Sequence, residues 1–393
     1  MSKRAVILIL DGAGIGEAPD AADYGDCGSN TLAHVVADVV AAGKTIRLEN
    51  MLETGIGNIK PIKELPRAES PSGAFGLMSP ASAGKDSTTG HWEIAGVHLA
   101  RPFPTYPHGF PESVLSEFSR ATGRGVIGNV VGSGTDVLAE FGEEHMRTGA
   151  WIVYTSADSV FQVAAHEQVV PLAELHAACE TARAMLIPPN DVSRVIARPF
   201  LGEPGAFVRT VNRRDFSVPP PDETLLDALE RGGVARSGVG KVDDLFAGRG
   251  IASRHTASNA EGIELIRKWL RSDDDGLLFA NLVDFDQLYG HRNDSHGFYG
   301  ALREFDAALP SLRRALRQDD LLFITADHGN DPTTPSTDHA RENVPLLVLG
   351  PRVKAGAALG RRDTFSDLGA TVAEWFGVPF RGAGASFLGE IVR

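Results

Sequence analysis

The sequence predicts an α/β protein: a mostly parallel sheet flanked by helices, interrupted by a smaller inserted α/β domain. Three observations lead there. Short runs that are apolar throughout recur along the chain, helical patterns lie between several of them, and the middle changes character between two proline-rich stretches. A run of strand length with no polar alternation marks a strand covered on both faces, as in parallel sheets. Alternation of such strands with helices gives a layered α/β architecture.

In chain order, "AVILIL" (5–10) is the first such strand, and it meets Asp11 directly. It is far shorter than the roughly 18–20 apolar residues of a membrane span, and it lacks the cleavage context of an export signal. "GAGIG" (12–16) lacks the G-x-G-x-x-G spacing of a dinucleotide site and reads as a flexible loop beside Asp11. Residues 84–93, "GKDSTTGHWE", set small hydroxyl residues between glycines and read as a tight, exposed loop. Its hydroxyls and charges beside a His and a Glu suggest chemistry.

The first part of the core ends near 99. An inserted domain over 100–217 opens with "RPFPTYPHGFP" (101–111) and carries the strand "WIVYT" (151–155) with strand-like pieces at 193–200 and 206–216. It closes on "SVPPPDE" (217–223), whose three consecutive prolines make a semi-rigid linker. The core resumes over 218–393. There a helix is predicted over 259–270 from an Asn259 cap, a strand over 277–283 and a helix over 298–316. Strands follow at 321–325 and 346–349, and a helix over 366–376 from a Ser366 cap.

Composition narrows the function classes. Hydrophobic content of 42% with 23% charged residues is that of an ordinary globular protein, and 393 residues suggest two domains. A net charge of −13 argues against nucleic acid as a partner. No membrane segment and no obligate protein partner is indicated. Cys27 and Cys179 are too few and too far apart for a disulfide framework, which suits a reducing cytoplasm.

The chemistry lies at strand ends. Asp11 follows the first strand; Asp284 and Asp286 follow "FANLV", with His291 five residues beyond Asp286. Asp327 and His328 follow "LLFITA", and His339 lies eleven residues beyond His328. Ligands of open α/β sheets bind beyond the carboxyl ends of the strands, so these side chains are expected to converge. Carboxylate and imidazole without thiolate suit Mn²⁺ or Zn²⁺ better than an all-oxygen Ca²⁺ cage. Six ligands fit two ions, and two ions can grip both oxygens of a phosphoryl transfer. Such a site needs a nucleophile, and metal coordination can activate a serine hydroxyl such as that of Ser87.

Six stretches carry a resemblance: "DGAGIGEAPD" (11–20), "GKDSTTGHWE" (84–93), "YTSADSVFQVAAHE" (154–167), "NLVDFDQLYGHR" (281–292), "TADHGNDPTTPSTDHAREN" (325–343) and "VPLLVLGP" (344–351). In that order they resemble the phosphopentomutases of the alkaline phosphatase superfamily, over nearly the whole chain. Phosphoglycerate mutases share only the metal scaffold and a shorter Ser-x-x-Gly-His pattern, which "STTGH" (87–91) also satisfies.

The resemblance implies an alkaline-phosphatase-like core with a cap domain, and Ser87 as the phosphorylated nucleophile. It implies one Mn²⁺ on Asp286, His291 and His339, and the other on Asp11, Asp327 and His328, with the Ser87 oxygen between them. Zn²⁺ or another divalent ion can take the same places. The family usually has Thr at the nucleophile; alignment on Gly90-His91 selects Ser87, with Thr88 and Thr89 as alternatives. Asp284 has the wrong spacing to His291 and reads as a residue behind the ligands. In the cap, Ser156 and Asp158 are expected to face sugar hydroxyls, while Arg198, Arg209 and Arg213, with Lys241 of the resumed core, supply a pocket for the distal phosphate. The implied activity interconverts ribose 1-phosphate, or its 2-deoxy analogue, with the 5-phosphate. It runs through a phosphoserine and a bisphosphate intermediate and is primed by a sugar bisphosphate. The alternatives are a metal-dependent phosphomonoesterase or a phosphoglycerate-type mutase on the same scaffold. An inert metal- or sugar-phosphate-binding protein would be expected to have lost a ligand or the hydroxyl, and all are present.

Overall fold

The computed structural model describes residues 3–156 and 158–393. The chain divides into two compact units, one formed by Met1–Pro102 with Pro220–Arg393 and the other by Phe103–Pro219. Its strands are β1 (Arg4–Leu10), β2 (Ala74–Met78), β3 (Val126–Val131), β4 (Trp151–Thr155), β5 (Val160–His166), β6 (Arg194–Leu201) and β7 (Val208–Arg209). They continue with β8 (Arg214–Ser217), β9 (Arg236–Val239), β10 (Ser253–Arg254), β11 (Gly276–Leu282), β12 (Asp320–Thr325), β13 (Val344–Leu349) and β14 (Ala358–Arg362).

The first unit is built on an eight-stranded sheet in the order β10-β9-β11-β1-β12-β13-β2-β14. Only β13 runs against its neighbours β12 and β2; the other pairings are parallel. Every residue of β1, β11, β12 and β13 is buried, which is why their sequences are mostly apolar, with Arg4, Asn281, Asp320 and Thr325 the polar exceptions. Helix Ser295–Ala315 packs on Thr31–Ala41 and Asn259–Arg271, and helix Ser366–Phe376 on Ser87–Ile94 and Leu225–Arg231.

The second unit has a six-stranded sheet, β3-β4-β5-β6-β7, with β8 also paired to β6. One core joins Phe118, Trp151, Phe161, Leu175 and Cys179, and a smaller one joins Val137, Leu138, Ile152, Tyr154 and Phe200. Helices Glu112–Thr122 and Leu172–Met185 feed the larger core, and Gly134–Thr148 the smaller. The strand-like stretch 206–216 resolves into β7 and β8. No helix among the described residues is long and apolar enough to cross a membrane.

Several local expectations are corrected. Residues 84–93 are not an exposed loop: Ser87–Ile94 is a helix, and Thr88 to Ile94 are all buried. Asp86 caps it in extended conformation, accepting from Thr89 N at 3.0 Å and from Thr89 Oγ1 at 2.6 Å. Such a cap is worth about 1 kcal/mol. Thr88, Thr89 and Gly90 are poor helix formers, so tertiary contacts hold the turn. Trp92 Nε1 donates to Leu245 O, and the Glu93 carboxylate accepts from Ala81 N, Ser82 N, Phe365 N and Thr364 Oγ1. Residues 12–16, read as a flexible loop beside Asp11, form neither helix nor strand, and all of them are buried. The cap of Asn259–Arg271 is Ser258, whose side chain accepts from Glu261 N, and Asn259 is its first helical residue. Ser366 also lies inside its helix, with its hydroxyl donated to Glu93 O instead of capping. The helix predicted from 298 begins one turn earlier, at Ser295, where Asp294 caps it.

Candidate metal and phosphoryl-transfer site

Parallel register brings the chemistry to one edge of the sheet. Leu10 of β1 lies opposite Leu282 of β11, and Ile9 lies opposite Thr325 of β12. Asp11, Asp286 and the Asp327–His328 pair therefore leave three adjacent strands side by side. Asp286 rides on a π-helical turn, Phe285–Tyr289, which runs into a tighter turn at Gly290–Arg292 that carries His291. Wide turns of this kind often re-aim side chains at functional sites.

The six side chains gather as two groups. Asp11 joins Asp327 and His328, and Asp286 joins His291 and His339, with the ligand atoms of each group within 4.8 Å of one another. His328 Nε2 lies 3.4 Å from Asp11 Oδ1 and 3.5 Å from Asp327 Oδ2. In the second group, Asp286 Oδ2 is 3.0 Å from His291 Nε2, and Asp286 Oδ1 is 3.6 Å from His339 Nε2. The groups adjoin, since the His328 and His339 rings are 4.0 Å apart. Two rings are oriented through their other nitrogen: His328 Nδ1 bonds Gly329 O at 3.0 Å and His291 Nδ1 bonds Thr337 O at 2.6 Å. Each bond turns Nε2 inward, which is how metal-ligating imidazoles are usually fixed.

These residues fit a pair of divalent cations. Among the described residues, the buried oxygens Asp11 Oδ1 and Asp327 Oδ2 receive no well-formed hydrogen bond and face only imidazole nitrogens at 3.2–3.5 Å. That is costly for a carboxylate unless a cation meets it. Burial, then the charge of Asp327, pushes the Asp11 carboxyl up to about 6. Burial also opposes the charge on His328, but Asp327, the hydrogen bond to Asp11 and Asp286 override it and hold its pKa well above the ordinary imidazole value. For Asp286 burial is again outweighed, here by His339 and His291, which keep its carboxyl well below the usual range.

Residues behind the ligands were not legible in the sequence. Asn281 Nδ2 donates to Asp11 Oδ2 at 2.9 Å, Asn330 Nδ2 to Asp286 Oδ1 at 2.7 Å, and Gly12 N to Asp327 Oδ1 at 3.2 Å. The available signal was Asn281 itself, an amide within the apolar run of β11. Asp284, expected in that role, instead accepts from Asn259 N at 2.6 Å, at the start of a helix.

Ser87 is the first residue of its helix, and its Oγ lies 3.0 Å from His328 Nε2. The Thr89 hydroxyl is committed to Asp86. Gly90 sets this placement. A Cβ built there would stand 2.1 Å from the Asp327 carbonyl oxygen, so only glycine lets the helix lie on that strand end. Gly90→Ala must push two backbones apart. Misplacement by about 1 Å costs on the order of 10²-fold in rate, and a drop of that size in kcat is expected, measurable by steady-state kinetics on metal-loaded protein.

The remaining predicted residues lie elsewhere. Ser156, Asp158, Arg198 and Arg209 belong to the second unit and Lys241 to the first. Ser156 Oγ accepts from Asp158 N at 3.3 Å. Arg198, Arg209 and Arg213 all bring charge to Tyr154, and burial followed by Arg213 lowers the Arg198 pKa. Arg213 is engaged by Asp215 at 2.6 Å, and Lys241 Nζ donates to Gln287 Oε1 at 3.2 Å. Asp243, Asp244 and His255 also gather, half-exposed. There Asp243 is already engaged by His255 and by Asp244 N and Ser253 N.

Comparison with known proteins supplies a family. A model described as the metalloenzyme superfamily matches residues 3–380. The phosphopentomutase of Dictyoglomus turgidum is 57% identical over 392 residues, which cover 100% of this chain and 98% of that protein. The chain belongs to the phosphopentomutase family. The phosphopentomutase of Caldanaerobacter subterraneus subsp. tengcongensis is 53% identical over 393 residues, covering 100% of this chain and 98% of that one. As a phosphopentomutase-family member the chain is an enzyme of the isomerase class, with a divalent-metal scaffold built on its larger sheet.

Proposed function

We propose that this enzyme interconverts ribose 1-phosphate, or 2-deoxyribose 1-phosphate, with the corresponding 5-phosphate through a phosphorylated Ser87. The observation that carries the reading is the Ser87 hydroxyl at a helix N-terminus, 3.0 Å from His328 and beside two Asp/His groups. Asp11, Asp327 and His328 would hold one divalent cation, and Asp286, His291 and His339 the other, with Mn²⁺ the proposed ion at both. When bound, the cations supply Lewis acidity that favours the serine alkoxide and neutralises charge on the transferring phosphoryl group. The first turn of helix Ser87–Ile94 directs backbone N–H groups and the positive end of its dipole toward a phosphate on Ser87.

In the cycle, the phosphoryl group leaves Ser87 Oγ for the free C1 or C5 hydroxyl of a bound pentose monophosphate, giving the 1,5-bisphosphate. Ser87 then takes back the phosphoryl group from the other end, and the isomeric monophosphate departs. A sugar bisphosphate charges Ser87 at the outset. Ser156 and Asp158 are assigned to sugar hydroxyls, and Arg198, Arg209 and Lys241 to the phosphate that stays behind. Guanidinium groups suit phosphate because their fork can bond two oxygens at once.

The test is product analysis. Mn²⁺-loaded protein, primed with ribose 1,5-bisphosphate and given ribose 5-phosphate, is expected to yield ribose 1-phosphate. Release mainly of inorganic phosphate would overturn the mutase reading in favour of a phosphomonoesterase.

Metal binding is expected to be proton-linked. The carboxylates around His328 favour its protonated form, and an imidazole must lose that proton to bind a cation. Between about pH 6, where the Asp11 carboxyl itself titrates, and the raised pKa of His328, Mn²⁺ affinity is therefore expected to rise about tenfold per pH unit. About one proton should be released per chain, read by titration calorimetry in buffers of different ionisation enthalpy.

A further inference from the structure

We infer that His91 is a positioning residue that registers the Ser87 hydroxyl against the Asp11/Asp327/His328 group. The inference rests on Ser87 being the phosphoryl carrier. His91 is fully buried, one turn along the helix from Ser87, and its Nδ1 hydrogen-bonds the Ser87 carbonyl oxygen at 2.9 Å. The same nitrogen stands 3.2 Å from Asp327 Oδ2. Among the described residues its Nε2 has no hydrogen-bond partner, and the ring lies nearly parallel to Phe279, 5.5 Å between centroids. A proton on Nε2 would be a buried donor with nothing to bond. The ring proton therefore sits on Nδ1, directed at the Ser87 carbonyl oxygen.

The consequence is geometric. Gly90 lays the helix backbone directly on the Asp327 carbonyl. The next side chain, His91, touches the Asp327 carboxylate and the backbone of the nucleophile with a single N–H group. Main-chain contact at Gly90 fixes the distance between helix and strand end. The His91 contact fixes the rotation of the helix about its axis, and rotation decides where a side chain on its first residue points. A change here moves Ser87 Oγ relative to His328 without removing any ligand or the hydroxyl. The expected effect lies on phosphoryl transfer, not on pentose phosphate binding.

Two amide substitutions separate positioning from packing. Asn places its amide nitrogen where His carries Nδ1; Gln places it where His carries Nε2. Positioning predicts that His91→Asn keeps kcat and phosphoenzyme within a few-fold of wild type. His91→Gln should then lose about 10²-fold in kcat at unchanged KM, the cost of misplacing a reacting group. Packing predicts the reverse, because Gln fills the volume better. Phosphoenzyme is read by intact mass after exposure to ribose 1,5-bisphosphate, and Mn²⁺ binding by calorimetry, with Asn expected to bind more tightly than Gln. Gln equal to or better than Asn in all three would overturn the inference. If neither variant folds, the ring of the wild-type chain decides it: ¹⁵N shifts showing the proton on Nδ1 support it, and a proton on Nε2 overturns it. Ser87→Ala is run in parallel. Phosphate still carried by that variant would refute the nucleophile assignment, while the ranking of Asn against Gln judges His91 alone.

Discussion

Replacing Ser87 by alanine is expected to abolish the phosphoenzyme and lower turnover by at least about 10⁴-fold, as removal of a covalent nucleophile does elsewhere. The fold should be indifferent, since Ser87 is only half-buried and Asp86, not Ser87, caps the helix. Ser87→Thr is the informative partner, because it keeps a hydroxyl at the same helical position. It should restore most of the activity. Neighbouring hydroxyls offer no easy rescue: Thr89 Oγ1 is held by Asp86 at 2.6 Å and Thr88 is buried one position further along the helix. Intact mass after exposure to ribose 1,5-bisphosphate reads the outcome directly. An added phosphate on the alanine variant, mapped to Thr88 or Thr89, would move the nucleophile.

What the sequence showed, and what it hid, follows from the range of the interactions involved. β1, β11 and β12 were legible because strands buried on both faces are dominated by apolar residues, a property each stretch carries alone. Asp11, Asp286, Asp327 and His328 were legible as candidates because strand ends and ligand chemistry are both local features. The helix at 87–94 was not, since Thr88, Thr89 and Gly90 argue against one, and its hold comes from Glu93 bonding residues as distant as Phe365. The same holds for Asn281, which reaches Asp11 across 270 residues through the β1–β11 register. Caps failed by single positions, Ser258 for Asn259, because Ser and Asn cap comparably and only backbone geometry chooses between them.

Asp327 concentrates the remaining dependence of the site, and Asp327→Asn is expected to leave a folded chain with one tightly bound Mn²⁺ instead of two. Its Oδ1 accepts from Gly12 N at 3.2 Å, while Oδ2 stands 3.2 Å from His91 Nδ1 and 3.5 Å from His328 Nε2. An amide removes the charge and must also turn an NH₂ group toward one of these nitrogens. Either Gly12 N–H or the His91 N–H then faces a donor, and a buried unsatisfied donor costs about 1–3 kcal/mol. Asp327 is also the first of the carboxylates that raise the His328 pKa. The variant should therefore release less than one proton on binding its single Mn²⁺. Activity should fall at least about 10³-fold, because losing one of two cations leaves one side of the transferring phosphoryl group without a counter-charge. Equilibrium dialysis with metal analysis counts the ions, and Asp243→Asn serves as the control that should still bind two. Two tightly held Mn²⁺ ions in Asp327→Asn, with turnover within tenfold of wild type, would show that this carboxylate is not a ligand.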